Sequence, residues 1–246
     1  MARYQAVIEY DGTAFLGFQR QAIGRTIQAE IETALGRLGW TGRAVLGAGR
    51  TDTGVHAAGQ VIAFDLDWGH GSADLFNALN ANLPPDVAVK TLREAAPDFH
   101  PRFAAKARRY RYTIYNLPAR SPLAARFAWH VWQPALNLEA MQAASRELLG
   151  THDFAAFGSD PDEGENTVRT VTQAVWTRPD ESRLDFDIQA DAFLRRMVRS
   201  LVGALKQVGA GHLALTEFQA LLASRDRTRC PPVAPPQGLC LMEVMY

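Results

Sequence analysis

Residues 46–66 read Leu46-Gly-Ala-Gly-Arg50-Thr-Asp52-Thr-Gly-Val-His56-Ala-Ala-Gly-Gln60-Val-Ile-Ala-Phe-Asp-Leu66, a glycine-punctuated turn followed by a strand pattern over 60–66. Such a turn first suggests a phosphate loop, and both familiar versions fail on residue type. Gly47 and Gly49 open a dinucleotide fingerprint, but Asp52 stands where the third glycine belongs, and its charge repels a pyrophosphate. Gly49 and Gly54 have the Walker spacing, yet Val55-His56 occupies the place of Lys-Ser/Thr. Around this run the order is strand–helix–strand with frequent antiparallel pairing signals. That order predicts an α+β fold rather than a doubly wound sheet.

Working outward, Arg3 to Tyr10 alternates, with Tyr4, Ala6, Ile8 and Tyr10 on one face of a half-buried strand. Thr26 caps a helix whose stripe is Ile27, Ile31, Ala34, Leu35 and Leu38, ending at Gly39. The glycines at 47, 49 and 54 suit positive φ or close approach of a ligand. A short helix over Asp74–Asn80 and strands over Asp86–Leu92 and Arg108–Tyr115 follow. In the last strand Tyr110, Tyr112 and Ile114 face one way, and Arg109, Arg111 and Thr113 the other. Leu117-Pro-Ala-Arg-Ser-Pro122 is the best boundary, dividing the chain into 1–118, with the Asp52 loop, and 119–246, with further basic segments.

The second half predicts a strand near Phe127–Trp132 and a helix from the Asn137 cap to Leu149, closed by Gly150. An acidic loop over 158–166 precedes paired strands at Thr167–Thr177 and Arg183–Ala190. Phe193, Met197, Leu201, Ala204 and Val208 form a helix stripe, with Arg195, Arg199 and Lys206 opposite. Thr216 and Gln219 have capping-box spacing for a last helix. A proline-rich connection over 231–236 then leads to a final strand at Leu239–Val244.

The 246 residues carry 26 Lys and Arg against 26 Asp and Glu, so total charge names no partner. Its distribution is more telling. No acid interrupts Phe99–Leu138, which holds Arg102, Lys106, Arg108, Arg109, Arg111, Arg120 and Arg126. Segregated charge of this kind can present a basic groove to a polyanion. Two cysteines ten residues apart fit no zinc spacing and suit a reducing compartment. No signal-peptide pattern and no membrane-spanning run is found, which predicts a soluble, cytoplasmic protein.

Arg50 and Asp52 lie in a turn with no evident packing reason for charge. Either they staple the turn, or the arginine keeps a catalytic carboxylate ionised, since an adjacent cation lowers a carboxylate pKa by about 1–3 units. An ionised, oriented carboxylate suits nucleophilic or general-base work. Tyr110, among Arg108, Arg109 and Arg111, reads as a core tyrosine or as a stacking surface for an unpaired base with phosphate-binding neighbours. Arg195, Arg196 and Arg199 read as a solvated helix face or a nucleic-acid contact. The six histidines form no metal-ligand motif, and His56 reads as structural. An RNA-binding module without chemistry would leave the Arg50–Asp52 turn unexplained. A nucleoside hydrolase would need a metal cluster or a second carboxylate.

The run Gly47-Ala-Gly-Arg-Thr-Asp-Thr-Gly-Val-His56 resembles the bacterial tRNA pseudouridine synthase A family, and the likeness extends nearly end to end. It includes Glu9-Tyr-Asp-Gly12, Gly17-Phe-Gln-Arg-Gln21, Asn80-Ala-Asn-Leu-Pro84 and Phe99-His-Pro-Arg-Phe103. Further matches are Ala107-Arg-Arg-Tyr-Arg-Tyr112, Phe193 through Gly203, and Asp226-Arg-Thr228. The resemblance implies two pseudo-symmetric α+β subdomains, each a mainly antiparallel sheet backed by helices in a ferredoxin-like or RRM-like way, with the active-site cleft between them. It implies isomerisation of uridine to pseudouridine at positions 38, 39 and 40 of the tRNA anticodon stem-loop, by a homodimer that uses no cofactor or metal. By the same resemblance Asp52 is the catalytic aspartate and Arg50 its partner. Tyr110 contacts the target base, and Arg199 approaches from the second half of the chain. Gly47, Phe18, Thr53 and Arg195-Arg196 depart from the residues usual in relatives: Cys, Trp, Ala and, in some, His-His.

Overall fold

The computed structural model describes residues 1–159 and 166–246; most of the acidic loop expected over 158–166 lies outside the described residues. The chain runs through β1 (Ala2–Tyr10), α1 (Ile27–Arg37), β2 (Leu46–Gly47), β3 (His56–Leu66), α2 (Ser72–Asn82), β4 (Val87–Glu94) and β5 (Ala107–Tyr115). It continues with β6 (Trp129–His130), α3 (Leu138–Arg146), β7 (Gly150–Asp153), β8 (Val168–Asp180), β9 (Arg183–Ala190), α4 (Met197–Gly209), α5 (Leu215–Ser224) and β10 (Leu239–Met245). The described residues are therefore mixed α+β with mostly antiparallel strands, as the sequence order predicts.

Two compact units result, Met1–Lys106 with Cys240–Tyr246, and Ala107–Leu239. This division differs from the one read at 118/119. β5 belongs to the second unit because it pairs with β9 along eight residues, and the C-terminal strand returns to the first because it pairs with β3. Local proline content marks a turn, whereas strand partnership is decided by distant residues.

In the first unit the strand order is β4–β1–β3–β10, with β2 on β3. Tyr4, Ala6, Ile8 and Tyr10 are buried as their alternation predicts. Thr26 caps α1 through its side chain, and Ile27, Ile31, Ala34 and Leu35 are buried. Burying each of the two isoleucines and the leucine contributes roughly 1.5–3 kcal/mol. The β1–β3 register sets Arg3 opposite Asp65, and Arg3 donates to both carboxylate oxygens at 2.7 Å. Asp65 is thus a cross-strand partner of Arg3. Its hydrogen bonds from Arg3 hold its pKa below the usual range.

In the second unit β5–β9–β8–β7 form an antiparallel ladder, and β6 runs parallel beside β5. Tyr112, Ile114, Leu184, Phe186 and Ile188 are fully buried on one face. The strand expected over Phe127–Trp132 shrinks to two residues. The α3 helix stops at Arg146, and the chain turns through Gly150 at φ +96°. Met197 rather than Phe193 begins α4, because Arg196 takes the left-handed conformation at φ 62°. The last helix starts at Leu215. Glu217, not Gln219, closes its first turn by accepting from the Ala214 N–H at 2.7 Å.

Candidate active site

The segment between β2 and β3 carries Arg50 and Asp52, and it is fixed at nearly every residue around them. Ala48 N–H donates to the Val61 carbonyl at 2.8 Å, and Gln60 Nε2 to the Gly49 carbonyl at 2.9 Å. Buried Thr51 is held twice: its Oγ1 lies 2.9 Å from the Tyr10 hydroxyl, and its carbonyl accepts from Phe18 N–H at 3.1 Å. The Asp52 carbonyl accepts from Val55 N–H at 3.1 Å, closing a turn in which Gly54 has φ +76°. Of the three glycines read as permissive, only Gly54 uses positive φ. A Cβ on Gly47 would come within 2.7 Å of the Phe18 ring, so these two departures from the usual family residues are in contact.

Two earlier glycines let the Asp11–Phe18 segment press against the loop. A Cβ on Gly12 would lie 2.1 Å from the Val55 carbonyl oxygen, and one on Gly17 would lie 2.7 Å from that of Thr51. Behind Val55, His56 is buried and its Nδ1 accepts from Gly12 N–H at 3.0 Å. A ring nitrogen that accepts carries no proton. The Asp11 carboxylate 3.2 Å from the same nitrogen is therefore not its ion-pair partner in that tautomer. The geometry is that of a latch, in keeping with a structural His56.

Asp52 itself is half-buried, whereas Arg50 is exposed. The two residues expected to pair thus lie two positions apart on one anchored loop, the carboxylate the more enclosed of the two.

The other expected residues lie in the second unit. Tyr110 stands opposite Ile188 on β9, is 9% exposed, and meets the Phe193 ring edge-on at 5.1 Å. Little of its face is therefore open for stacking. Arg109 and Arg111 are opposite Gln189 and Asp187 in the same register. Arg111 donates to Asp187 through Nε at 3.1 Å and Nη2 at 3.0 Å, and Arg109 Nη1 lies 3.9 Å from that carboxylate. Asp185, also buried, accepts from Thr113 Oγ1 at 2.9 Å and Arg183 at 2.7 Å. The basic face read on β5 is thus largely compensated by the acidic face of β9. Sequence alternation shows each strand's charges but not that the two strands are neighbours.

Arg199 is half-buried on α4 rather than part of a solvated face. Its Nε donates to the Ala234 carbonyl at 2.8 Å, and Ala234 N–H returns a bond to the Arg199 carbonyl at 3.0 Å. Tyr112 donates to the Pro235 carbonyl at 2.8 Å, and burial raises its hydroxyl pKa, which keeps it a donor. The proline-rich segment is therefore a belt that orients Arg199. Sequence reading missed this role for Tyr112 and Ala234. Its only trace was the run of prolines after a basic helix.

An antiparallel α+β frame displaying a carboxylate on a fixed Gly-Arg-Thr-Asp loop defines a class, and comparison names it. The pattern of the tRNA pseudouridine synthase family matches residues 6–104 and 144–246. The chain is 43% identical over 246 residues to tRNA pseudouridine synthase A of Geobacter sulfurreducens, covering all of both chains. It is 42% identical over 247 residues to that of Shouchella clausii, covering all of this chain and 94% of the relative. Identity to that of Chromobacterium violaceum is 44% over 241 residues, 97% of this chain and 91% of the relative. The molecule is thus an isomerase of the tRNA pseudouridine synthase class. Within that class it belongs to the tRNA pseudouridine synthase A family. No helix among the described residues is long and apolar enough to cross a membrane.

Proposed function

We propose that this enzyme isomerises uridine to pseudouridine at positions 38, 39 and 40 of the tRNA anticodon stem-loop, with Asp52 as the catalytic carboxylate. The observation that carries the reading is the loop itself: a half-buried carboxylate on a backbone anchored both before and after it. A preset carboxylate lowers the entropy lost in reaching a reactive geometry. The target uridine is rotated out of its stack at a cost of a few kcal/mol, offset by contacts to the base. Asp52 then promotes cleavage of the bond from uracil N1 to ribose C1′. Three routes are open to it: attack on C1′, addition to uracil C6, or removal of a ribose proton. The uracil turns, C5 bonds to C1′, and a base removes the C5 proton. Any bond formed to Asp52 is broken again on the way, N1 takes up a proton as C5 loses one, and the net change stays within one nucleotide.

In this reading Tyr110 meets the target base by its edge or hydroxyl, in keeping with its burial, and Arg199 contributes an oriented guanidinium. Arg50, two residues before Asp52 on the same loop, is the cation that pairs with the carboxylate and keeps it ionised. Arg109 and Arg111 assist RNA binding with only the charge that Asp187 leaves them. The same kinship supports a homodimer in the cytoplasm; a single-chain mass in sedimentation at micromolar concentration would remove the dimer from the proposal.

The test is to incubate the protein with unmodified tRNA and map the product. Pseudouridine confined to positions 38–40 supports the reading, and pseudouridine elsewhere alone refutes the site assignment. Release of free uracil would instead favour a hydrolase.

A further inference from the structure

We infer that Gln60 is a positioning residue for the reaction, an inference that rests on the role proposed for Asp52. Gln60 is a fully buried side chain whose carboxamide replaces a missing piece of β-ladder. On the side of β3 away from β1, β10 pairs at His56 and Ala57, and β2 pairs at Ile62 and Ala63. Between them the backbone of Val61 faces the start of the Asp52 loop. Its carbonyl takes Ala48 N–H in the ordinary way, at 2.8 Å.

A regular antiparallel ladder would return a bond from Val61 N–H to the carbonyl of residue 48. Here Val61 N–H donates instead to Gln60 Oε1 at 3.1 Å, while Gln60 Nε2 donates onward to the Gly49 carbonyl at 2.9 Å. One amide is interposed between the two chains. β2 is therefore levered off β3 immediately before Arg50, and the departing backbone is still hydrogen-bonded. Buried backbone groups left unpaired are costly, so the carboxamide fixes where the loop leaves the sheet. Gly49 accepts this bond without needing glycine's special φ, and a Cβ there would meet nothing within 4 Å. The glycine tolerates the bond; Gln60 dictates its direction.

The requirement is specific: an acceptor toward Val61 and a donor toward Gly49. An ionised Glu supplies only the acceptor, and sets an oxygen against the Gly49 carbonyl. A protonated Glu supplies both. In Gln60→Glu at pH 8, kcat for pseudouridine formation is expected to fall about 100-fold, the size associated with displacing a catalytic group by about 1 Å. The KM for tRNA should stay within about twofold. Activity should recover at least in part between pH 8 and pH 6, where wild type shows no such gain, because a buried carboxyl holds its proton to higher pH. Gln60→Met, matched in length but without either hydrogen-bonding group, should lose kcat equally and show no recovery. Folded fraction is followed by circular dichroism in the same samples. Unchanged kcat in a folded Gln60→Glu or Gln60→Met protein overturns the inference. So does a loss that merely follows the folded fraction, or one carried by KM. If Asp52→Asn retained turnover, the reading of Asp52 would fail, whatever the Gln60 variants do.

Discussion

At the residue scale, the place of Asp52 is set by the bonds its loop neighbours make. Thr51 is gripped by Tyr10 and Phe18, and Gly54 N–H, two residues beyond Asp52, donates to the Phe15 carbonyl. Tyr110 is different, since its ring is packed against Phe193 and little of it is exposed. In the role proposed for it, the hydroxyl is therefore the acting group. Tyr110→Phe keeps the ring packing and should lower kcat by about 100-fold, within the range for a group that handles a proton. Single-turnover assays on saturating tRNA would measure this directly. A variant as fast as wild type would confine Tyr110 to packing.

At the scale of elements, long periodic segments were legible in the sequence and their partnerships were not. The alternation of Arg3–Tyr10 and the Thr26 cap each placed an element correctly, because both depend on local spacing. The left-handed Arg196, which delays α4, leaves no such pattern. Nor does the neighbour relation that sets Asp187 against Arg111, since it depends on the register of two strands distant in the chain. The candidate site was legible in the same uneven way. The Gly-Arg-Thr-Asp run announced a carboxylate, while the belt that holds Arg199 and the Gln60 insertion depend on contacts made only on folding. Gly17 tests how tightly the elements grip the loop. With φ +96° and the Thr51 carbonyl 2.7 Å from any added Cβ, Gly17→Ala should destabilise the protein by about 1–3 kcal/mol. Urea unfolding reads the stability, and kcat should fall with it as Thr51 shifts. A variant of wild-type stability and activity would show that the loop is not held in this way.

At the scale of the whole molecule, equal numbers of acids and bases leave binding to local patches. Arg111 and, more distantly, Arg109 are already opposed by Asp187, so in the proposed function Lys106 and Arg120 of the acid-free segment are expected to add phosphate contacts to theirs. Even three or four phosphate contacts make affinity strongly salt-dependent. Binding of unmodified tRNA should weaken about tenfold or more between 50 and 200 mM salt, at a slope reduced in Lys106→Ala. A salt-independent Kd would mean that phosphate contacts do not dominate. The most direct measurement is to map pseudouridine in tRNA treated with wild-type and Asp52→Asn protein, with tRNA affinity determined in parallel. Asp52→Asn should leave no pseudouridine at positions 38–40 and an affinity within a few-fold of wild type. Pseudouridine formed there by the Asn variant would contradict the assignment of Asp52 as the catalytic carboxylate.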